Sequence, residues 1–175
     1  PRLPGLGLLD LHTVHPGARL PRCIGNVVVE WQPTDATGIP PAAGARSGNG
    51  ARHVSASSVG GAADGQPRQT LVGFENHGGR TYLGSGARPL GRILSGHGNN
   101  SQDGTEGAVV QQAYGTYLHG SLLPKNPHLA DHLLTLGLRR RDPGVILAPL
   151  DDTLEWRAHE VILQRYSQRK AARRS

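Results

Sequence analysis

The chain has no methionine and a single cysteine, Cys23. Without a methionine, position 1 does not read as a translation start, and Pro1-Arg2-Leu3-Pro4 reads as the middle of something longer. The expectation is that an amino-terminal part precedes it. One cysteine excludes an internal disulfide and fits a reducing cytoplasm. Aromatic residues make up only 4%, so aliphatic side chains must supply most of a core. No apolar run approaches the ~20 residues that a membrane-spanning helix needs. Pro1 to Gly7 lacks the charged and apolar regions of a signal peptide. No Walker-type phosphate loop occurs either.

What is present fits one domain: 175 residues can bury a real core, and 25 glycines imply many tight turns. The net charge of +6 comes largely from Arg139-Arg140-Arg141 and from the tail Arg165 to Arg173. These clusters show no aromatic interleaving and no nucleic-acid motif, so they read as solvated helix ends.

Ile24 to Trp31, with its β-branched centre, reads as a strand, and so does Thr70 to His77. Between them, residues 32–69 are dominated by Pro, Gly, Ala, Ser and Thr. That composition cannot bury enough surface to offset chain entropy and predicts a disordered insertion, with a binding loop as the alternative. Gly78 to Tyr82, Ile93 to Asn100, Glu106 to Gln111 and Ala113 to Leu118 supply further strand pieces and turns. The period-two run Tyr114 to Leu118 stops at His119-Gly120. A histidine there either ends a strand or sits where α/β sheets place their chemistry. Two helices close the chain. Asn126 and Pro127 suit the start of the first, with Leu129, Leu133, Leu134 and Leu136 on its apolar stripe and Gly137 near its end. The second starts near Asp151-Asp152, buries Leu154, Ala158, Val161, Ile162 and Tyr166, and frays past Gln168.

Four stretches combine glycine with Asn, His, Arg or Glu. They are Gly73-Phe74-Glu75-Asn76-His77-Gly78-Gly79-Arg80-Thr81, Gly96-His97-Gly98-Asn99-Asn100, Asp103 to Gly107, and Gly115-Thr116-Tyr117-Leu118-His119-Gly120. Their order, followed by Leu123-Pro124-Lys125-Asn126-Pro127, resembles the class I glutamine amidotransferases of the cobyric acid synthase-like branch. Within it, the motifs look most like the glutaminase subunits of lipid II isoglutaminyl synthases. The resemblance covers nearly all of the chain outside 32–69.

It implies an α/β fold with a mostly parallel or mixed central sheet and flanking helices. It also implies a chemistry: a cysteine thiolate attacks the glutamine side-chain amide, a histidine moves protons, and ammonia leaves. The family's histidine matches His119, and its substrate-binding arginine matches Arg22, whose guanidinium fork suits the two oxygens of an α-carboxylate. A surface arginine beside a turn is the plainer reading of Arg22. The family's nucleophile lies in a Gly-rich turn upstream of the segment matching Pro4 to Leu11, so its absence here agrees with the missing methionine. Cys23 aligns with an apolar position and reads as a buried thiol. Ser121 stands where many relatives carry a glutamate two residues after the histidine, so a partner subunit is implied to supply an aspartate. His77 reads as structural, orienting the loop Gly78 to Arg80, with Glu75 and Asn76 as its hydrogen-bonding neighbours.

The implied partner is a Mur-ligase-like synthetase forming a heterodimer. It would hold ATP and Mg, with no cofactor or metal in this chain, and would bring lipid II. Cobyrinate-type amidation, or a non-catalytic subunit docking on the ligase, are the alternatives.

Overall fold

The computed structural model describes residues 3–17, 20–31, 33 and 70–172. The expected insertion, 32–69, lies outside these residues apart from Pro33. Among the described residues, eight strands precede two helices: β1 (Leu11–Val14), β2 (Cys23–Trp31), β3 (Thr70–His77), β4 (Arg80–Leu83), β5 (Gly91–Ser95), β6 (Thr105–Glu106), β7 (Ala108–Val110), β8 (Ala113–Gly115), α1 (Pro127–Arg139) and α2 (Thr153–Ala172). The main sheet runs β3-β2-β5-β6, while β1-β4 and β7-β8 are two-stranded ribbons.

Every strand pairing among the described residues is antiparallel. Among them, antiparallel ladders replace the parallel or mixed pairing expected from the sequence. Parallel neighbours need a crossover of a dozen or more residues, usually helical. Both helices here come after the last strand.

β2 is central because both of its faces are covered. Val27, Val28 and Val29 are all buried, where a strand with one wet face would alternate. Val27, Val29 and Trp31 pack with Leu71, Leu90, Val109, Leu118 and Leu129 of α1 on one side. Val28 and Val72 meet Ile162, Leu163 and Tyr166 of α2 on the other. Each fully buried aliphatic side chain contributes about 1.5–3 kcal/mol.

The helices differ in detail from the sequence pattern. α1 runs through Gly137, and Leu134 is exposed rather than on the buried stripe. α2 continues past Gln168 to Ala172 instead of fraying. Leu154 and Val161 are exposed, and the buried row is His159, Ile162 and their neighbours. A polar anchor sets this rotation: His159 Nδ1 donates to Lys125 O at 2.8 Å, and its Nε2 meets Thr70 Oγ1 at 2.9 Å. Apolar patterning alone cannot show that a histidine is the deepest residue of its helix.

Candidate active site

The outer edge of β3 organises the site. β2 pairs with one side of this strand, so the backbone groups at alternate positions on the other side need partners from elsewhere. Four different residues meet them. His128 Nε2 donates to Thr70 O at 3.0 Å. The side chain of Asn126 accepts from Val72 N–H and donates to Val72 O, both at 2.8 Å, as a neighbouring strand would. His119 N–H donates to Phe74 O at 2.6 Å, forming an isolated bridge. Arg22 Nη2 donates to Asn76 O at 3.0 Å.

The two residues singled out from sequence, His119 and Arg22, are thus docked at alternate positions of one strand edge, 74 and 76. Successive alternate positions lie about 7 Å apart. Both side chains are exposed, as are Phe74 and Asn76 between them.

The run leading to His119 is not the continuous strand expected. β8 stops at Gly115 because side chains take over the next backbone donors. Glu106 Oε1 accepts from Thr116 Oγ1 and Tyr117 N–H, each at 2.7 Å, and Thr116 Oγ1 accepts from Leu118 N–H at 3.0 Å. Burial pushes the Glu106 carboxyl up from its ordinary pKa, against the opposing pull of the Thr116 and Tyr117 hydrogen bonds. Directly after His119 the chain turns, with φ of 53° at both Gly120 and Ser121. A left-handed serine costs about 1 kcal/mol and is held there by its surroundings. Among the described residues, no carboxylate bonds the His119 side chain.

Arg22 is more constrained than a free surface arginine. Its Nε and Nη2 both donate to Asn76 Oδ1, at 3.1 and 2.9 Å, in addition to the bond with Asn76 O. The Nε/Nη2 edge of the guanidinium is thus filled by Asn76, and among the described residues no hydrogen bond engages Nη1. Asn76, expected as a hydrogen-bonding neighbour of His77, holds Arg22 instead.

On the opposite face of β3, Glu75 is buried at 1% exposure. Its Oε1 accepts from His97 N–H at 2.8 Å and from His97 Nδ1 at 2.6 Å, and its Oε2 accepts from Gly98 N–H at 3.1 Å. Gly98 has φ of +63°, and a Cβ there would collide with Thr105 O, so only glycine closes this turn. His77 Nδ1 donates to Gly79 O at 2.9 Å, and its ring stacks on Tyr117 at 3.7 Å. It orients the Gly78–Arg80 loop, as expected, but its Nε2 stands 3.7 Å from Glu75 Oε2, too far for the hydrogen bond expected between them. The Glu75–His97 pairing escaped sequence reasoning because 22 residues and a strand change separate the partners.

Cys23 is 1% exposed, and its Sγ lies 3.3 Å from Ser101 Oγ. Among the described residues, no cluster of three or more His, Cys, Asp or Glu side chains could hold a metal ion, and no helix is long and apolar enough to cross a membrane.

Comparison with known proteins agrees with the motif order. Residues 1–127 match the CobB/CobQ-like glutamine amidotransferase domain. The chain is 42% identical over 106 residues to the lipid II isoglutaminyl synthase (glutamine-hydrolyzing) subunit GatD of Staphylococcus aureus, covering 59% of this chain and 42% of that protein. It is 41% identical over 73 residues to the subunit of the same name from Streptococcus pneumoniae, covering 42% of this chain and 28% of that protein. A cobyric acid synthase of Pelotomaculum thermopropionicum is 39% identical over 84 residues, covering 47% of this chain and 15% of that protein. The chain therefore spans less than half the length of these curated relatives.

Proposed function

The chain belongs to the CobB/CobQ-like glutamine amidotransferase domain family, and from that premise we propose that it acts in a lipid II isoglutaminyl synthase as the glutaminase subunit. It would release ammonia from glutamine for amidation of the D-glutamate in the peptidoglycan stem peptide. The observation that carries this reading is the docking of Arg22 and His119 two positions apart on the β3 edge.

In this reading Arg22 Nη1 meets the glutamine α-carboxylate. A thiolate attacks the side-chain amide carbon, backbone N–H groups stabilise the oxyanion, and His119 carries the proton that lets ammonia leave. Water then releases glutamate from the thioester. Cys23 is not that thiolate: it is buried, and a reactive thiol needs an accessible, charge-stabilising setting. The nucleophile is a cysteine other than Cys23. The ammonia acceptor is activated on a Mur-ligase-like partner, which binds ATP and Mg and contributes an aspartate that orients His119. The heterodimer works in the cytoplasm.

The similarity to cobyric acid synthases supports cobyrinate amidation as the second reading, over a shorter stretch. The test of the main reading is a glutaminase assay with the complete subunit and its ligase. Arg22→Ala should raise KM for glutamine, and His119→Ala should lower kcat by 10²-fold or more. Wild-type rates in both variants would refute it. Turnover by the 175-residue chain alone, abolished by Cys23→Ala, would refute the assignment of the thiolate.

A further inference from the structure

We infer that Glu106 is a positioning residue for His119: its buried carboxylate fixes the arm of chain that carries the histidine. The inference rests on the glutaminase reading for the work His119 does and on the hydrogen-bond geometry for the tether. The backbone N–H groups of Tyr117, Leu118 and His119 lie beyond the end of β8, and each has its own acceptor. Tyr117 N–H donates to Glu106 Oε1 at 2.7 Å, Leu118 N–H to Thr116 Oγ1 at 3.0 Å, and His119 N–H to Phe74 O at 2.6 Å. Thr116 Oγ1 donates in turn to Glu106 Oε1 at 2.7 Å. A single carboxylate oxygen therefore holds Tyr117 directly and Leu118 through the threonine hydroxyl. Its two lone pairs are both used. Oε2 has no hydrogen-bond partner among the described residues, so Oε1 alone forms the tether.

The far end of the tether is fixed. Glu106 is buried, its backbone carbonyl accepts from Leu90 N–H at 3.0 Å, and the Asn99 side chain bonds Gly107 O at 2.9 Å and Gly107 N–H at 3.0 Å. The near end is packed as well as bonded. Leu118 is buried against Gly73, where an added Cβ would stand 3.1 Å from the Leu118 Cβ. Tyr117 stacks on His77, and its hydroxyl bonds Thr81 Oγ1 at 2.8 Å. The His119 side chain is left exposed at the end of this arm. Glu106 makes no bond to the imidazole, so it acts through the backbone. Arg22 is held separately, by Asn76. Loosening the arm should therefore slow the chemical step and leave glutamine binding unchanged, since a misplacement of about 1 Å costs about 10²-fold in rate.

The experiment is a glutaminase assay of the complete subunit with its ligase, each variant being shown by thermal melting to be folded at the assay temperature. Glu106→Ala should lower kcat about 10- to 100-fold, with KM for glutamine within about twofold of wild type. Glu106→Gln keeps a carbonyl oxygen for both donors and should restore kcat to within about threefold. Thr116→Val removes the hydroxyl relay at nearly constant shape and should lower kcat about tenfold; it decides the question if Glu106→Ala does not fold. Wild-type kcat in the Glu106→Ala or Thr116→Val variant, while His119→Ala loses its rate, would overturn the tether and leave the glutaminase reading standing. A rise in KM in place of the fall in kcat would overturn it as well. So would a Glu106→Gln variant as slow as Glu106→Ala, because the charge and not the bonds would then matter. If His119→Ala keeps the wild-type rate, the glutaminase reading of the site fails and the inference with it.

Discussion

Replacing Asn126 tests how the edge of β3 is held, and through it how His119 and Arg22 are placed. Asn126 is 0% exposed, and its side chain bonds Val72 N–H and Val72 O at 2.8 Å and Leu122 O at 2.6 Å. Val72 is itself fully buried, so water cannot replace those bonds. Asn126→Ala strands one buried donor and one buried acceptor on Val72, at about 1–3 kcal/mol each. Relaxation and non-additivity bring the expected loss to about 3 kcal/mol. For a domain of this size each kcal/mol shifts Tm by about 2–4 °C, so Tm should fall by about 6–12 °C in a calorimetric or circular-dichroism melt. Asn126→Asp sharpens the test. It keeps the acceptor for Val72 N–H but turns a carboxylate oxygen toward two carbonyls. Its deficit relative to wild type should therefore be largest at neutral pH and shrink in acid, where the protonated carboxyl regains a donor. A Tm within 2 °C of wild type for Asn126→Ala would refute the reasoning.

Further outcomes follow from the same structure. Burial, and next the neighbouring His159, push the His128 pKa down from 6.5 to about 4, and burial also lowers that of His159. As pH falls below 6.5 the unfolded chain takes up these protons first, so stability is complete above that pH and is lost as pH falls through about 4. Because the His128 ring is only partly shielded, the loss from this group is discounted to about 2 kcal/mol; urea melts between pH 7 and 4 that show no decline would contradict it. Gly98→Ala should lower stability by more than about 3 kcal/mol, since its Cβ meets backbone and its φ is left-handed; equal urea midpoints would count against the turn described. Cys23 should resist a thiol reagent in the native chain and react once urea unfolds it, and immediate native reaction would contradict its burial.

The parts legible in the sequence were those fixed by local chemistry. β3 falls on Thr70–His77 as the β-branched and apolar pattern predicts, and Pro127 opens α1 beside Asn126. The proposed roles of His119 and Arg22 rest on motif order, not on periodicity. What escaped depends on side chains acting as backbone partners across long separations. Asn126 reads as a helix cap, yet its side chain makes no capping bond and braces Val72 instead. Glu106 ends β8 by capturing Thr116 and Tyr117, which no pattern in Tyr114 to Leu118 reveals. α2 buries His159 rather than Leu154 because hydrogen bonds to Thr70 and Lys125 set its rotation. Antiparallel pairing likewise depends on which strands meet, and strand propensity is silent on that.

The most direct test is a heteronuclear NMR titration of the chain with L-glutamine. The account predicts saturable shifts at Arg22 Nε–H, at the Asn76 and Gly78 amides and at the His119 ring, with the Ile162 and Tyr166 signals of α2 unmoved. Shifts confined to residues away from the β3 edge, or no shifts at millimolar glutamine, would contradict it.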